Sequence, residues 1–194
     1  NGKRYHFTES PENVMYIEWI SDGYGNNIKY ERDRKGLKSI QESSGRRIDV
    51  KSENGLIKEM YLAEGSESKL LVSYAYSKDG ELLGVTDAES KIYKFYYKNR
   101  VMIEHKDRNE LSFYYKYDNY SHEGKCIHAY GDYGLYDYNF NYIPEEYKTV
   151  FVDSEGNQST IEYDDWNMII REIDAKGNIT EFDYDESART NMVK

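Results

Sequence analysis

Five landmark aspartates, spaced through the chain at near-regular intervals, are each followed ten residues later by a tyrosine: Asp87 and Tyr97, Asp107 and Tyr117, Asp132 and Tyr142, Asp153 and Tyr163, Asp174 and Tyr184. A further tyrosine, Tyr76, opens the series. Successive tyrosines lie 21, 20, 25, 21 and 21 residues apart, and successive aspartates 20, 25, 21 and 21. All variation in length therefore falls between a tyrosine and the next aspartate. A fixed half-unit beside a variable one is the mark of a repeat in which one hairpin turn has set geometry and the opposite loop tolerates insertion.

Within each unit the apolar residues alternate. Ile161 and Tyr163 flank Glu162, Phe182 and Tyr184 flank Asp183, Tyr74 and Tyr76 flank Ala75, and Phe113, Tyr115 and Tyr117 share a face. Period-two alternation places such residues on one side of a strand. Asn54-Gly55 and Asp79-Gly80 are tight-turn signals, and Gly156-Asn157 and Gly177-Asn178 mark others. The composition agrees: 22 Tyr, 14 Gly and only 2 Pro, with a mean hydropathy of -0.94. Tyrosine covers a pleated surface with its ring and keeps a polar tip, which offsets a hydrophobic content of 38%. These features predict an all-β fold of antiparallel β-hairpin repeats with no helix required. A two-strand unit cannot bury its own face, so stability has to come from its neighbours.

The repeat divides the chain into irregular units over residues 1–75, regular units of about 21 residues over 76–185 and a tail over 186–194. In the irregular part, Asp22-Gly23-Tyr24-Gly25-Asn26 aligns with Asp174-Ala175-Lys176-Gly177-Asn178, and Arg32 stands ten residues after Asp22 where tyrosine is expected. Ser43-Ser44-Gly45-Arg46 reads as a shortened turn, and another turn falls near Glu64-Gly65-Ser66. Lys98 and Ile143 occupy positions where aspartate would follow tyrosine.

The net charge of -10 argues against nucleic acid and anionic membrane surfaces, which require a basic face, and the sequence shows no basic patch. No apolar run approaches a membrane helix. The first residues, Asn1-Gly2-Lys3-Arg4, suggest an internal fragment. Cys126 is the only cysteine, so no internal disulfide forms. His122, Cys126 and His128 are close in sequence, and Cys126 and His128 share a face if Ile127 points the other way. Zinc would need three or four converging ligands, and the spacing supplies no CxxC or HxxxH, so no metal is expected. Asp153-Ser154-Glu155-Gly156-Asn157 lacks the alternating carboxylates of a calcium loop. The pairs Asp164-Asp165 and Asp183/Asp185 recur with the repeat, as turn caps do, whereas a catalytic pair is singular. Neither catalysis nor a cofactor is expected.

The string of Tyr-Asp, a turn, Asp-x-x-Gly-Asn and Tyr-x-Tyr-Asp resembles the YD repeat of bacterial Rhs proteins, shared with insecticidal toxin-complex C subunits and teneurins. The resemblance runs from about Lys3 to Asp185 and is most specific over Gly131-Asp132-Tyr133-Gly134-Leu135-Tyr136-Asp137-Tyr138-Asn139-Phe140-Asn141-Tyr142 and Thr149-Val150-Phe151-Val152-Asp153-Ser154-Glu155-Gly156-Asn157. It implies a curved antiparallel sheet, part of a spiral β-shell around a carboxy-terminal toxin, in a secreted or cell-surface protein of bacterial competition. The chain's partners would then be the rest of the same shell and that cargo. The aromatic stripe leaves a second reading, a carbohydrate-binding or adhesive surface module in which exposed Tyr rings, with Trp19 and Trp166, stack on sugars. Unpaired strand edges on an isolated strip predict edge-to-edge self-association.

Overall fold

The computed structural model describes residues 2–10, 13–65 and 67–193. It falls into two compact units, Asn1–Lys94 and Phe95–Lys194. The first holds β1 (Arg4–Glu9), β2 (Met15–Ser21), β3 (Asn27–Asp33), β4 (Gly36–Glu42), β5 (Arg47–Glu53), β6 (Leu56–Glu64), β7 (Glu67–Tyr76), β8 (Leu82–Asp87) and the start of β9 (Ile92–Lys98). The second holds the end of β9, then β10 (Val101–Lys106), β11 (Ser112–Tyr117), β12 (Cys126–Gly131), β13 (Tyr138–Ile143), β14 (Lys148–Asp153), β15 (Gln158–Tyr163), β16 (Ile169–Ile173), β17 (Ile179–Tyr184) and β18 (Thr190–Val193). Among the described residues, helix is confined to two single 3₁₀ turns, Asp132–Gly134 and Pro144–Glu146. The chain is all-β, as the alternation predicts.

Within each unit, strands pair antiparallel with their sequence neighbours, β1 through β9 in the first and β10 through β18 in the second. Side chains opposite one another line up in rows. Tyr30, Ile40, Ile48 and Leu62 form one in the first unit. Asn141, Val150, Thr160, Ile173 and Ile179 form one in the second, and Lys148, Glu162, Arg171 and Glu181 make a row of alternating charge two residues along it. The apolar core is thin: among the described residues only Val50 and Val150 are apolar and buried, each 7% exposed. Cohesion comes from ladder bonds and cross-strand pairs such as Phe140 against Phe151, edge to face at 5.5 Å.

Two local expectations change. The turn at Ser43-Ser44-Gly45-Arg46 is not shortened: Glu42 takes the aspartate position, with Glu42 N–H donating to Arg46 O and Gly45 N–H to Glu42 O. Beyond Asp185 the ladder continues, because β18 pairs with β17. In the turn near Glu64-Gly65-Ser66, Ser66 lies outside the described residues; β6 and β7 pair up to Glu64 opposite Glu67.

Candidate functional site

The repeated landmarks act at opposite ends of each hairpin. At the aspartate end, one carboxylate oxygen accepts the backbone N–H groups two and four residues on. Asp22, Asp87, Asp107, Asp153 and Asp174 all do this, at 2.7–3.0 Å. Asp164 and Asp185, which directly follow Tyr163 and Tyr184, make the same clamp at 2.9–3.0 Å. The residue three after each aspartate has positive φ, as at Gly25 (89°), Gly177 (83°), Asn167 (59°) and Ala188 (56°). A short acceptor that satisfies turn amides is what aspartate does best in this setting. The Asn26, Asn157 and Asn178 side-chain amides bond the second oxygen of Asp22, Asp153 and Asp174 and are the main cause of holding those carboxyls below the ordinary range.

At the tyrosine end the hydroxyl crosses to the preceding strand. Tyr76 donates to Ile57 O (2.9 Å), Tyr117 to Met102 O (3.0 Å), Tyr142 to Cys126 O (2.8 Å) and Tyr184 to Ile169 O (2.6 Å). The geometry is constant. Each tyrosine stands three residues past the last ladder pair on its strand, and each acceptor stands two residues before the partner in that pair: Ser73 with Glu59, Tyr114 with Glu104, Asn139 with His128, Glu181 with Arg171. The hydroxyl therefore supplies a donor where the backbone ladder has opened. The last pair lies seven residues beyond the landmark aspartate in the hairpins begun by Asp107, Asp132 and Asp174, and three more reach the tyrosine, which accounts for the ten-residue offset. Burial pushes the Tyr76, Tyr117 and Tyr142 hydroxyls above their ordinary pKa.

The departures obey the same frame. Arg32 occupies the tyrosine position and donates to Ile17 O at 2.7 Å, three residues past Lys29 and two before Trp19. Ser52 does so as well, donating to Leu37 O at 2.6 Å, three past Asp49 and two before Ser39; a serine carries no landmark by which sequence reasoning would single it out. Tyr97 stands three residues past Lys94, the last residue paired with Gly84. Tyr163 differs because its ladder stays closed: its own N–H reaches Tyr147 O at 2.9 Å, and its ring meets Tyr147 edge to face at 6.0 Å. Asp132 also differs. Its oxygens accept Ser112 N–H (2.9 Å) and Tyr114 O–H (3.2 Å), fastening its turn to β11. Where Lys98 replaces the aspartate after tyrosine, Asn99 and Arg100 form a two-residue turn with φ of 52° and 67°. Where Ile143 replaces it, the chain makes the 3₁₀ turn at Pro144.

The other candidate residues do not converge. His122 is exposed beside Glu123. His128 Nε2 bonds Asp137 Oδ1 at 2.8 Å and stacks on Tyr130, whereas the Cys126 thiol, pushed up by burial, donates to His128 O. Among the described residues no three His, Cys, Asp or Glu side chains gather as a metal site. Asp164 is a clamp while Asp165 bonds the Tyr147 hydroxyl; Asp185 is a clamp while Asp183 caps Tyr184 N–H. Trp19 packs on His6 at 4.2 Å, and Trp166 is 84% exposed. In the first unit Arg32 and Lys38 line an open groove of about 560 Å³ with Tyr16, Tyr30 and the carboxylates Glu9, Glu18 and Glu31, so the groove is of mixed charge. Among the described residues no helix is long and apolar enough to cross a membrane.

No protein-family model matches the chain. It is 26% identical over 170 residues to the probable deoxyribonuclease RhsB of Dickeya dadantii, covering 86% of this chain and 11% of that protein. It is 28% identical over 120 residues to the double-stranded DNA deaminase toxin A of Burkholderia cenocepacia, covering 58% and 8%. The chain thus spans about a tenth of the length of the relatives it matches. Among solved structures, the Photorhabdus luminescens Tc holotoxin pore matches with a TM-score of 0.59 at 14% identity, over 94% of this chain and 10% of that one. The TcdB2-TccC3 crystal structure without its hypervariable C-terminal region matches with the same score at 13% identity, over the same shares. These likenesses show the fold, and the RhsB relative carries the same repeat family in its name. Clamped at the aspartate end and latched at the tyrosine end, the chain is similar over most of its length to the Rhs relative and has the fold of the Tc toxin chains, which supports its reading as an Rhs/YD-repeat chain.

Proposed function

We propose that the chain is a non-catalytic wall segment of an Rhs-type β-shell that encloses a toxin in a secreted or cell-surface protein of bacterial competition. The observation that carries this reading is the uniformity of the hairpins. The same clamp recurs at most turns from Asp22 to Asp185 and the same latch at most strand ends from Arg32 to Tyr184, with Asp132 and Tyr163 the departures, and polar side chains that a catalytic site would draw on are spent on turns and strand ends. A surface made by repetition suits enclosure, since each hairpin needs only its neighbours to hold its position. The toxin names of the relatives support a cargo of that kind.

In the full-length protein carrying this segment, limited proteolysis should spare the enclosed part. Replacing Tyr117 and Tyr184 together by Phe should open it to cleavage. A cargo cut equally fast with and without the latches would overturn the wall reading. The exposure of Tyr133 (94%) and Trp166 (84%) keeps the carbohydrate-binding reading in view. Specific glycan-array binding lost on Trp166→Ala would favour it over a plain wall.

A further inference from the structure

Asp132 is the landmark that departs from the clamp, and what it holds instead belongs to a pair of tyrosines. Its Oδ1 accepts the Tyr114 O–H at 3.2 Å, while its Oδ2 accepts Ser112 N–H at 2.9 Å. Tyr114 on β11 stands directly opposite Tyr130 on β12. Side chains opposed in this way on neighbouring strands are close enough for their rings to touch. The two rings lie 5.1 Å apart, centroid to centroid, with their planes 29° from parallel. They are nearer to each other, and nearer to parallel, than Tyr117 and Tyr120 (5.9 Å, 59°) or Tyr147 and Tyr163 (6.0 Å, 76°). His128 stacks on Tyr130 at 4.6 Å and holds that ring in place.

Both rings are half-buried, whereas Tyr24 and Tyr133 are 94% exposed. A radical formed on a half-buried ring meets its cross-strand partner before it meets a second molecule. The surroundings also set an order of oxidation. Removing an electron from a phenol releases its proton, and for Tyr114 a carboxylate already stands in hydrogen-bond contact to take it. The Lys116 ammonium lies 5.1 Å from the centre of the Tyr130 ring, and a positive charge there opposes the loss of an electron. Tyr114 is therefore oxidised first.

We propose that Tyr114 and Tyr130 are a site of oxidative cross-linking, joined through their ortho carbons as dityrosine by a peroxide acting through a haem peroxidase. Each phenol gives one electron to the haem oxidant and releases one proton, that of Tyr114 to Asp132 and that of Tyr130 to solvent. The two phenoxyl radicals couple to form one carbon–carbon bond, and the two ortho hydrogens move to the phenolic oxygens, which restores both hydroxyls. The two electrons and two protons released convert one hydrogen peroxide to two water molecules. The bond ties β12, which holds β13 through only two ladder pairs, to β11 on its other side. It closes a ring through residues 115–129, the stretch that contains the longest connection between strands of the regular repeat. A cross-link across such a stretch removes freedom from the unfolded chain. The inference does not depend on the wall reading.

Treated at low concentration with hydrogen peroxide and a haem peroxidase, the natural chain should gain the blue fluorescence of dityrosine in its monomer fraction. Fragmentation mass spectrometry should find Tyr114 joined to Tyr130, two hydrogens short of the sum of the separate peptides. Tyr114→Phe and Tyr130→Phe each keep a ring that cannot form a phenoxyl radical, and each should lose the link. Tyr147→Phe should leave it unchanged. Asp132→Asn keeps both phenols without the proton acceptor and should slow the linking several-fold. Circular dichroism matching the natural chain checks that each variant folds. A link within one molecule that maps to Tyr117 and Tyr120 or to Tyr147 and Tyr163 in equal or greater yield would overturn the site, as would one that survives Tyr130→Phe. Links formed only between molecules, through tyrosines such as Tyr24 and Tyr133, would overturn it too. An unchanged rate in Asp132→Asn would overturn the part given to its carboxylate.

Discussion

The latch bonds of the first unit, made by Arg32, Ser52 and Tyr76, are as short as those of the second, made by Tyr117, Tyr142 and Tyr184: 2.6–2.9 Å against 2.6–3.0 Å. Three donors of different length and chemistry therefore serve where the second unit uses one. The backbone register fixes the place of the donor, and the residue type follows from how far away the acceptor lies. A guanidinium reaches as a phenol does. Serine reaches only because β4 approaches closely at Gly36, where a Cβ would stand 3.1 Å from Ser52 Cβ. The tyrosine is thus one solution to an open ladder, and the ladder is the feature that repeats.

The largest test of that comparison removes a whole latch from the second unit. Tyr117→Ala deletes a half-buried ring and leaves Met102 O without its donor, and should cost about 2–4 kcal/mol in urea unfolding. A cost below about 1 kcal/mol would mean that the latch holds little. In the first unit the corresponding weak point is the glycine that lets serine work. Gly36→Ala forces a side chain into φ +127° and against Ser52, and should cost roughly 1–3 kcal/mol. Gly134, with φ +74° and open space around it, pays only for its backbone conformation, so Gly134→Ala should be milder.

The next effect separates ring from hydroxyl. Tyr184→Phe keeps the ring and should cost about 1 kcal/mol, because Ile169 O loses its only latch donor. Tyr163→Phe should be close to neutral, because the ladder there is closed by the Tyr163 N–H. Equal effects at the two positions would show that the rings alone matter. This contrast also marks what the sequence could and could not convey. The phase of the repeat was readable because aspartate and tyrosine each have a polar tip at a fixed reach. Arg32 was placed correctly by phase alone. Ser52 was invisible, since a serine on a strand has many uses and its role depends on the approach of Gly36. Glu42 was missed as a turn opener for a similar reason.

The clamps set a pH comparison. Asp22 and Glu42 in the first unit, and Asp107, Asp153, Asp174 and Asp185 in the second, have folded pKa values below the ordinary carboxylate range. Burial is the largest influence on Asp107 and pushes it upward, but its turn amides outweigh that; for Asp185 the Arg189 N–H leads. A group depressed in the folded state adds stability above its unfolded value, near 3.9 for aspartate, and loses it as pH falls through the folded value. Acid should therefore loosen residues 95–194 before residues 1–94. Hydrogen exchange corrected for intrinsic rates, compared at pH 5 and in the acid range, would read this segment by segment. Uniform loosening would remove the clamps as its cause.

The smallest expected effect is a gain, and it runs against the second unit's regularity. Among the clamped turns, Gly25, Gly156 and Gly177 supply the positive φ at the third residue after the acceptor, but Ala188 holds φ +56° with a side chain. Left-handed backbone costs an alanine what glycine avoids, and the freedom glycine adds to the unfolded chain takes back part of the difference. Ala188→Gly should therefore raise stability by a few tenths to about 1 kcal/mol. The same change at a residue with negative φ, such as Ala129 within β12, should be destabilising. If both changes destabilise alike, the φ at Ala188 is not strained, and the turn that begins at Asp185 is held by its clamp alone.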